Sequence, residues 1–81
     1  MKITVTEEHI RNGKPNDPYA CPIAKAMRDN FPGAYISVHK TFATYWKGFK
    51  KRMSLPHKVQ DIIYAYDRNK GMTPFEFELN I

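Results

Sequence analysis

Cysteine is nearly absent: Cys21 stands alone in 81 residues, so no disulfide can form within the chain. A small secreted domain usually needs a disulfide framework, so the single thiol points to a reducing cytoplasm. Long apolar runs are missing too. No stretch approaches the roughly 18 to 20 apolar residues of a membrane span, which argues against a membrane protein. The first residues, Met1-Lys2-Ile3-Thr4-Val5-Thr6-Glu7-Glu8, turn acidic before any apolar segment develops, unlike a signal peptide. Glycine is scarce, four residues in all, each isolated with a local turn role. That excludes a Gly-rich loop cradling phosphate.

Constellations for catalysis or metal binding are equally thin. His9, Cys21, His39 and His57 show neither the close pairing of a zinc ribbon nor that of an HExxH helix, so no metal is expected. Cys21 lies just ahead of Pro22, at the start of a helical pattern where the helix dipole would favour a thiolate. A nucleophile would still need a base from His9, His39 or His57, and nothing local places one. Burial is the better expectation for this thiol. Glu76 and Glu78 share a strand face opposite the apolar side, suited to cross-strand pairing with lysines. Glu7 and Glu8 are explained as first-turn residues of a helix. No enzyme and no cofactor are expected.

The remaining shortage is of acid in mid-chain. Between Asp29 and Asp61 there is no carboxylate, while Lys40, Lys47, Lys50, Lys51, Arg52 and Lys58 fall in that interval. With a formal net charge of +5, this asymmetry suggests one positive face directed at phosphates or an acidic protein surface.

What is present is enough for one small core. Lys2 to Val5 alternates as a half-buried strand. Thr6, Glu7 and Glu8 open a short helix that ends near Gly13. Lys14 to Pro18 is a proline-rich loop. Ile23, Ala26, Met27 and Phe31 recur at helical spacing after Pro22, and Pro32-Gly33 terminates that helix. Ala34 to Val38 and Thr41 to Trp46 read as antiparallel strands around a turn at His39-Lys40. Phe49 to Met53 is either a further strand or an extended basic loop. Ser54 is expected to cap a helix carrying Leu55, Val59, Ile62, Ile63 and Tyr66 as its apolar stripe, stopped by Gly71. Phe75 to Leu79 alternates as a closing strand. The expectation is a single α+β domain over 1–81: a small, mostly antiparallel sheet of four to five strands with two helices packed on one face. Homo-oligomerisation would bury surface that a chain this short cannot cover alone.

Ile3-Thr4-Val5-Thr6, His9-Ile10, Gly13, Cys21-Pro22-Ile23-Ala24, Leu55-Pro56, Val59, Asp67 and Pro74-Phe75-Glu76-Phe77-Glu78-Leu79 together resemble small orphan proteins of bacteriophages and prophages. The resemblance covers both ends of the chain better than the middle. It implies a viral protein made inside a bacterium, of a kind that often inhibits host or defence machinery by binding. It assigns no residue a role.

The candidate site therefore rests on physical grounds: Tyr45-Trp46-Lys47-Gly48-Phe49-Lys50-Lys51-Arg52, with Lys40 nearby. Lys47, Lys50, Lys51 and Arg52 suit phosphate, and Tyr45 or Trp46 suits a stacked base, as a nucleic acid or nucleotide site requires. Strand alternation would separate Lys50 and Arg52 from Lys47, Phe49 and Lys51. The competing explanation is a lysine-protected edge strand with Trp46 and Phe49 in the core. A basic face blocking an acidic host protein is the alternative function.

Overall fold

The computed structural model describes residues 1–79; positions 80 and 81 of the expected domain lie outside the described residues. In β1 (Lys2–Val5) the alternation places Ile3 and Val5 in the core and leaves Lys2 and Thr4 outside. Thr6 then caps α1 (Glu7–Asn12). The His9 backbone N–H donates to Thr6 Oγ1 at 3.3 Å, while the Thr6 N–H donates to His9 Nδ1 at 3.0 Å. This is a reciprocal capping box with imidazole in the place usually held by Glu or Gln. The other ring nitrogen, Nε2, meets Asp29 Oδ2 at 2.6 Å and ties α1 to the next helix. Gly13 has an ordinary φ of −83°, so its conformation alone does not call for glycine. Space does, because a Cβ there would sit 2.6 Å from Pro22 Cδ.

Helix α2 (Pro22–Asn30) begins with Pro22 in its first turn and presents Ile23, Ala24, Ala26 and Met27 to the core. It packs against β1 on one side and β2 (Tyr35–Val38) on the other. Next come β3 (Phe42–Trp46) and β4 (Lys50–Ser54), so the basic segment is a strand rather than a loop. The tight β3–β4 turn uses Gly48 at φ 78°, a conformation that glycine reaches without steric cost.

Helix α3 (His57–Asp67) contributes Val59 and Ile63 to the core, with Leu55 buried just before it. Its ends differ from expectation. Ser54 finishes β4 and does not cap; Pro56 is the cap residue, without a side-chain bond to the helix. Extending the strand to Ser54 leaves too little chain for a serine cap. At the other end Asn69, φ 62°, forms the left-handed helix ending, and Gly71, also left-handed at φ 80°, follows two residues later. The Asn69 N–H donates to the Tyr66 carbonyl and the Lys70 N–H to the Ala65 carbonyl, each at 3.0 Å. These two bonds form a Schellman-type ending, and asparagine is the residue besides glycine that most readily adopts it.

The α+β class holds, but the single sheet of four to five strands does not. β5 (Phe75–Glu78) pairs antiparallel with β1 alone, and β2-β3-β4 forms a separate antiparallel sheet. Three helices are present, the expected short α1 and the two longer helices α2 and α3. Alternation reveals which face of a strand is buried but not which edge finds which partner. Here α2 stands between β1 and β2 and supplies the apolar contact that a direct strand pairing would have made. In the β1–β5 ribbon, Ile3 faces Phe77 and Val5 faces Phe75 across the ladder, while Lys2 meets Glu76 at 3.2 Å on the outer side. Residues from both sheets, α2 and α3 form one core cluster.

Candidate functional site

The three-stranded sheet has one face on the core and one in solvent, and its register determines which side chains meet on each. Tyr35 lies opposite Trp46, and Trp46 opposite Lys50. Ser37 lies opposite Thr44, and Thr44 opposite Arg52. His39 continues the pairing past the end of β2 through its N–H to the Phe42 carbonyl, 2.8 Å. Since alternate residues share a face, these three cross-strand rows lie on the same side of the sheet. The opposite side carries Ile36, Val38, Ala43 and Met53 into the core.

The outer face thus reads, from one end to the other, as an aromatic pair with lysine, a hydroxyl pair with arginine, and an imidazole–phenyl pair. Successive rows are two residues apart, so the first and third lie about 13 Å from each other. Tyr35 is 76% exposed and Trp46 48%. Side chains directly opposite in an antiparallel pair have Cβ atoms about 5 Å apart, close enough for both rings to form one platform. In the middle row Ser37 is buried, and its hydroxyl bonds Thr44 Oγ1 and His39 Nε2. In the third row His39 stacks on Phe42 with centroids 4.6 Å apart, and the Arg52 guanidinium lies 3.8 Å over the same ring.

Among the described residues, no carboxylate forms a salt bridge with the cations of this region. Salt bridges among the described residues join the amino terminus to Glu78, Lys2 to Glu76 and His9 to Asp29, all on β1, β5, α1 or α2. Lys50 and Arg52 are exposed on β4 and form no salt bridge among the described residues. The positions named from sequence divide accordingly. Trp46, Lys50 and Arg52 come together on the outer face. Tyr45 and Lys51, directly opposite each other, lie on the inner side, where Tyr45 packs edge-on against Phe31 at 5.0 Å. Lys47 turns back to donate from Nζ to the Pro32 carbonyl at 3.0 Å. Lys40 stands exposed in the β2–β3 turn, at the far end of the face. Neither Trp46 nor Phe49 is core; Phe49 is 59% exposed and leans on Tyr45.

No family model, curated protein or solved structure matches the chain.

Tyr35 and Phe42 were not among the sequence candidates, and His39 was one only as a metal ligand or base. The signal for them was available: once Ile36 and Val38 are inward, Tyr35 and His39 must be outward, and an exposed tyrosine beside an unbalanced positive strand is a functional cue. The thiol of Cys21 is the opposite case. It is buried, its Sγ accepts the Ala24 N–H at 3.4 Å, and burial raises its pKa above the ordinary 9.0. The bond from Ala24 only partly offsets that desolvation. No imidazole is hydrogen-bonded to it among the described residues. Because the folded pKa is raised, the stability this group contributes is present below its ordinary pKa and is lost as pH climbs through the folded value. At pH 7 the folded protein is expected to resist a thiol reagent and to react fully once unfolded in urea. Rapid labelling of the folded chain would contradict that assignment.

Among the described residues no cluster of His, Cys, Asp and Glu could hold a metal ion, and no helix is long and apolar enough to cross a membrane.

Proposed function

We propose that this chain is a non-enzymatic binder of single-stranded nucleic acid, held across the outer face of β2-β3-β4. The observation that carries this is the exposed Tyr35–Trp46 pair on the same face as Lys50 and Arg52, whose charges no carboxylate among the described residues pairs with. Stacking supplies affinity with little regard to base identity, and the cations engage the phosphates alongside. An open platform about 13 Å long suits a polynucleotide better than a lone nucleotide, which is usually held in an enclosed pocket. Duplex DNA fits poorly, because its bases are already stacked on one another. The resemblance to phage proteins sets this activity inside a bacterial cell.

The electrostatic part is tested by titrating a fluorescent twelve-nucleotide oligothymidylate at several salt concentrations. Each phosphate neutralised on a single strand contributes about −0.7 to the slope of log K against log salt. Replacing Lys50 and Arg52 together by alanine is therefore expected to flatten the slope by about 1.4. An unchanged slope would remove these two residues from the site.

A second reading, an inhibitor of an acidic host protein, is favoured by one feature. β4 is an outer strand of its sheet, and Lys50-Lys51-Arg52 lie along it. An extended acidic segment could add there as a further strand. A host partner that remains bound to the tagged protein after nuclease treatment would favour this reading; loss of the partner with the nucleic acid would favour the first.

A further inference from the structure

The outer face does not simply stop at the β2–β3 turn. A cleft of about 400 Å³ opens there, and His39 and Phe42 line it as well as forming the last row of the face. Pro18, Val38 and Ile63 supply apolar lining, while Asp17, Asp67 and Lys40 supply the charged groups. The two carboxylates are held in place by backbone. Asp67 Oδ1 accepts the Asn16 N–H at 2.9 Å, and Asp17 Oδ1 accepts the N–H groups of Tyr19 and Ala20 at 2.9 and 3.2 Å. In each case the second oxygen, Oδ2, has no hydrogen-bond partner or salt bridge among the described residues.

These features define the ligand chemistry. The apolar lining and the ring wall suit the face of a flat heterocycle. Carboxylate oxygens accept hydrogen bonds and do not donate them, so the edge presented to them must carry N–H groups. Cytosine, adenine and guanine offer an exocyclic amino group; thymine and uracil offer carbonyls on both sides of a single ring N–H, and those carbonyls would face negative oxygen. Lys40, in the turn beside the cleft, is available for the phosphate of the same nucleotide.

We infer that the cleft seats one base of the strand lying on the outer face and selects a base bearing an exocyclic amino group, with Asp67 and Asp17 as the acceptors. This deepens the nucleic-acid reading and rests on it: the face supplies sequence-tolerant affinity, and the cleft supplies preference.

The test compares twelve-nucleotide oligocytidylate with oligothymidylate by fluorescence anisotropy at pH 7.5 and low salt. The wild-type chain is expected to bind the cytosine strand about five- to tenfold more tightly, the scale of one good base-edge contact. Asp67→Asn retains an oxygen for the Asn16 N–H but turns one acceptor into a donor, so the ratio of the two affinities is expected to fall to about one. Asp17→Asn, which likewise keeps an oxygen for its backbone donors, provides the parallel measurement. A structural effect would weaken both strands together and leave the ratio unmoved. Equal binding of both strands by wild type, preference for thymine, or a ratio that survives both substitutions would overturn the inference while leaving the face as a binding site. Failure of both strands to bind wild type would overturn the nucleic-acid reading itself.

Discussion

Replacing Tyr35 and Trp46 together by alanine is expected to weaken binding of oligothymidylate by about thirtyfold or more. A base stacked on an exposed aromatic ring contributes about 1–3 kcal/mol, so losing two platforms removes at least about 2 kcal/mol, and tenfold in affinity is 1.4. The double variant should fold, because both rings project into solvent and the residues beneath them are unchanged. The loss of strand preference is limited to about 1 kcal/mol per site. Tyr64→Ala is the control: Tyr64 is 58% exposed but sits on α3, where its hydroxyl is held by Arg68 at 3.0 Å, away from the sheet face. It is expected to leave affinity unchanged. Thymine strands are the right probe because thymine lacks the amino group assigned to the cleft, so this experiment reads the face alone. A double variant with native circular dichroism and undiminished affinity would mean that the aromatic pair is not the platform.

The largest expected effect on stability comes from Ile23→Ala. Ile23 is fully buried on α2, the helix that packs against strands of both sheets. Truncating a buried isoleucine costs about 2–5 kcal/mol, from lost burial and the cavity left behind. A chain of this length has a total stability of about 4–12 kcal/mol, so the substitution removes a large fraction of it. The corresponding fall in Tm is about 10–30 °C. The two-stranded ribbon β1–β5 cannot persist alone, since an isolated pair of strands is at best marginal in water. Unfolding should therefore remain one event. Urea transitions followed by Trp46 fluorescence, which reports on the three-stranded sheet, and by far-ultraviolet circular dichroism, which reports on the helices, are expected to shift together. A fluorescence midpoint left unmoved while the dichroism transition falls would show that α2 does not join the two sheets.

Much of the local structure is written in short-range pattern. Lys2 to Val5, Tyr35 to Val38 and Phe75 to Glu78 declare themselves by alternation, and α2 and α3 by apolar residues three and four apart. What escapes a reading of the sequence is decided at longer range. The choice of β5 as the partner of β1 depends on the chain's return after α3, and the division into two sheets depends on α2 filling the gap. Neither leaves a trace in periodicity. The helix ends show a subtler limit: Asn69 and Gly71 both adopt the left-handed conformation, and only the position of the last turn makes Asn69 the one that ends the helix.

The site was legible in part for the same reasons. Alternation already separated Lys50 and Arg52 from Lys51, and that separation is what the register of β3 and β4 displays. The recruitment of Lys47 to the Pro32 carbonyl is a contact between distant segments that no local rule anticipates. Tyr35 is not marked by the density of charge, because the exposed ring that pairs with Trp46 comes from a strand with no cation at all.

The central claim is that nucleic acid lies on the face where Trp46 is exposed, and Trp46 is the chain's one tryptophan. Intrinsic fluorescence therefore observes the proposed platform directly, without a label. Adding oligothymidylate at low salt is expected to quench the emission saturably, and raising the salt should restore it. Tryptophan emission that stays constant while the oligonucleotide is shown by anisotropy to be bound would place the ligand elsewhere and contradict the assignment of this face.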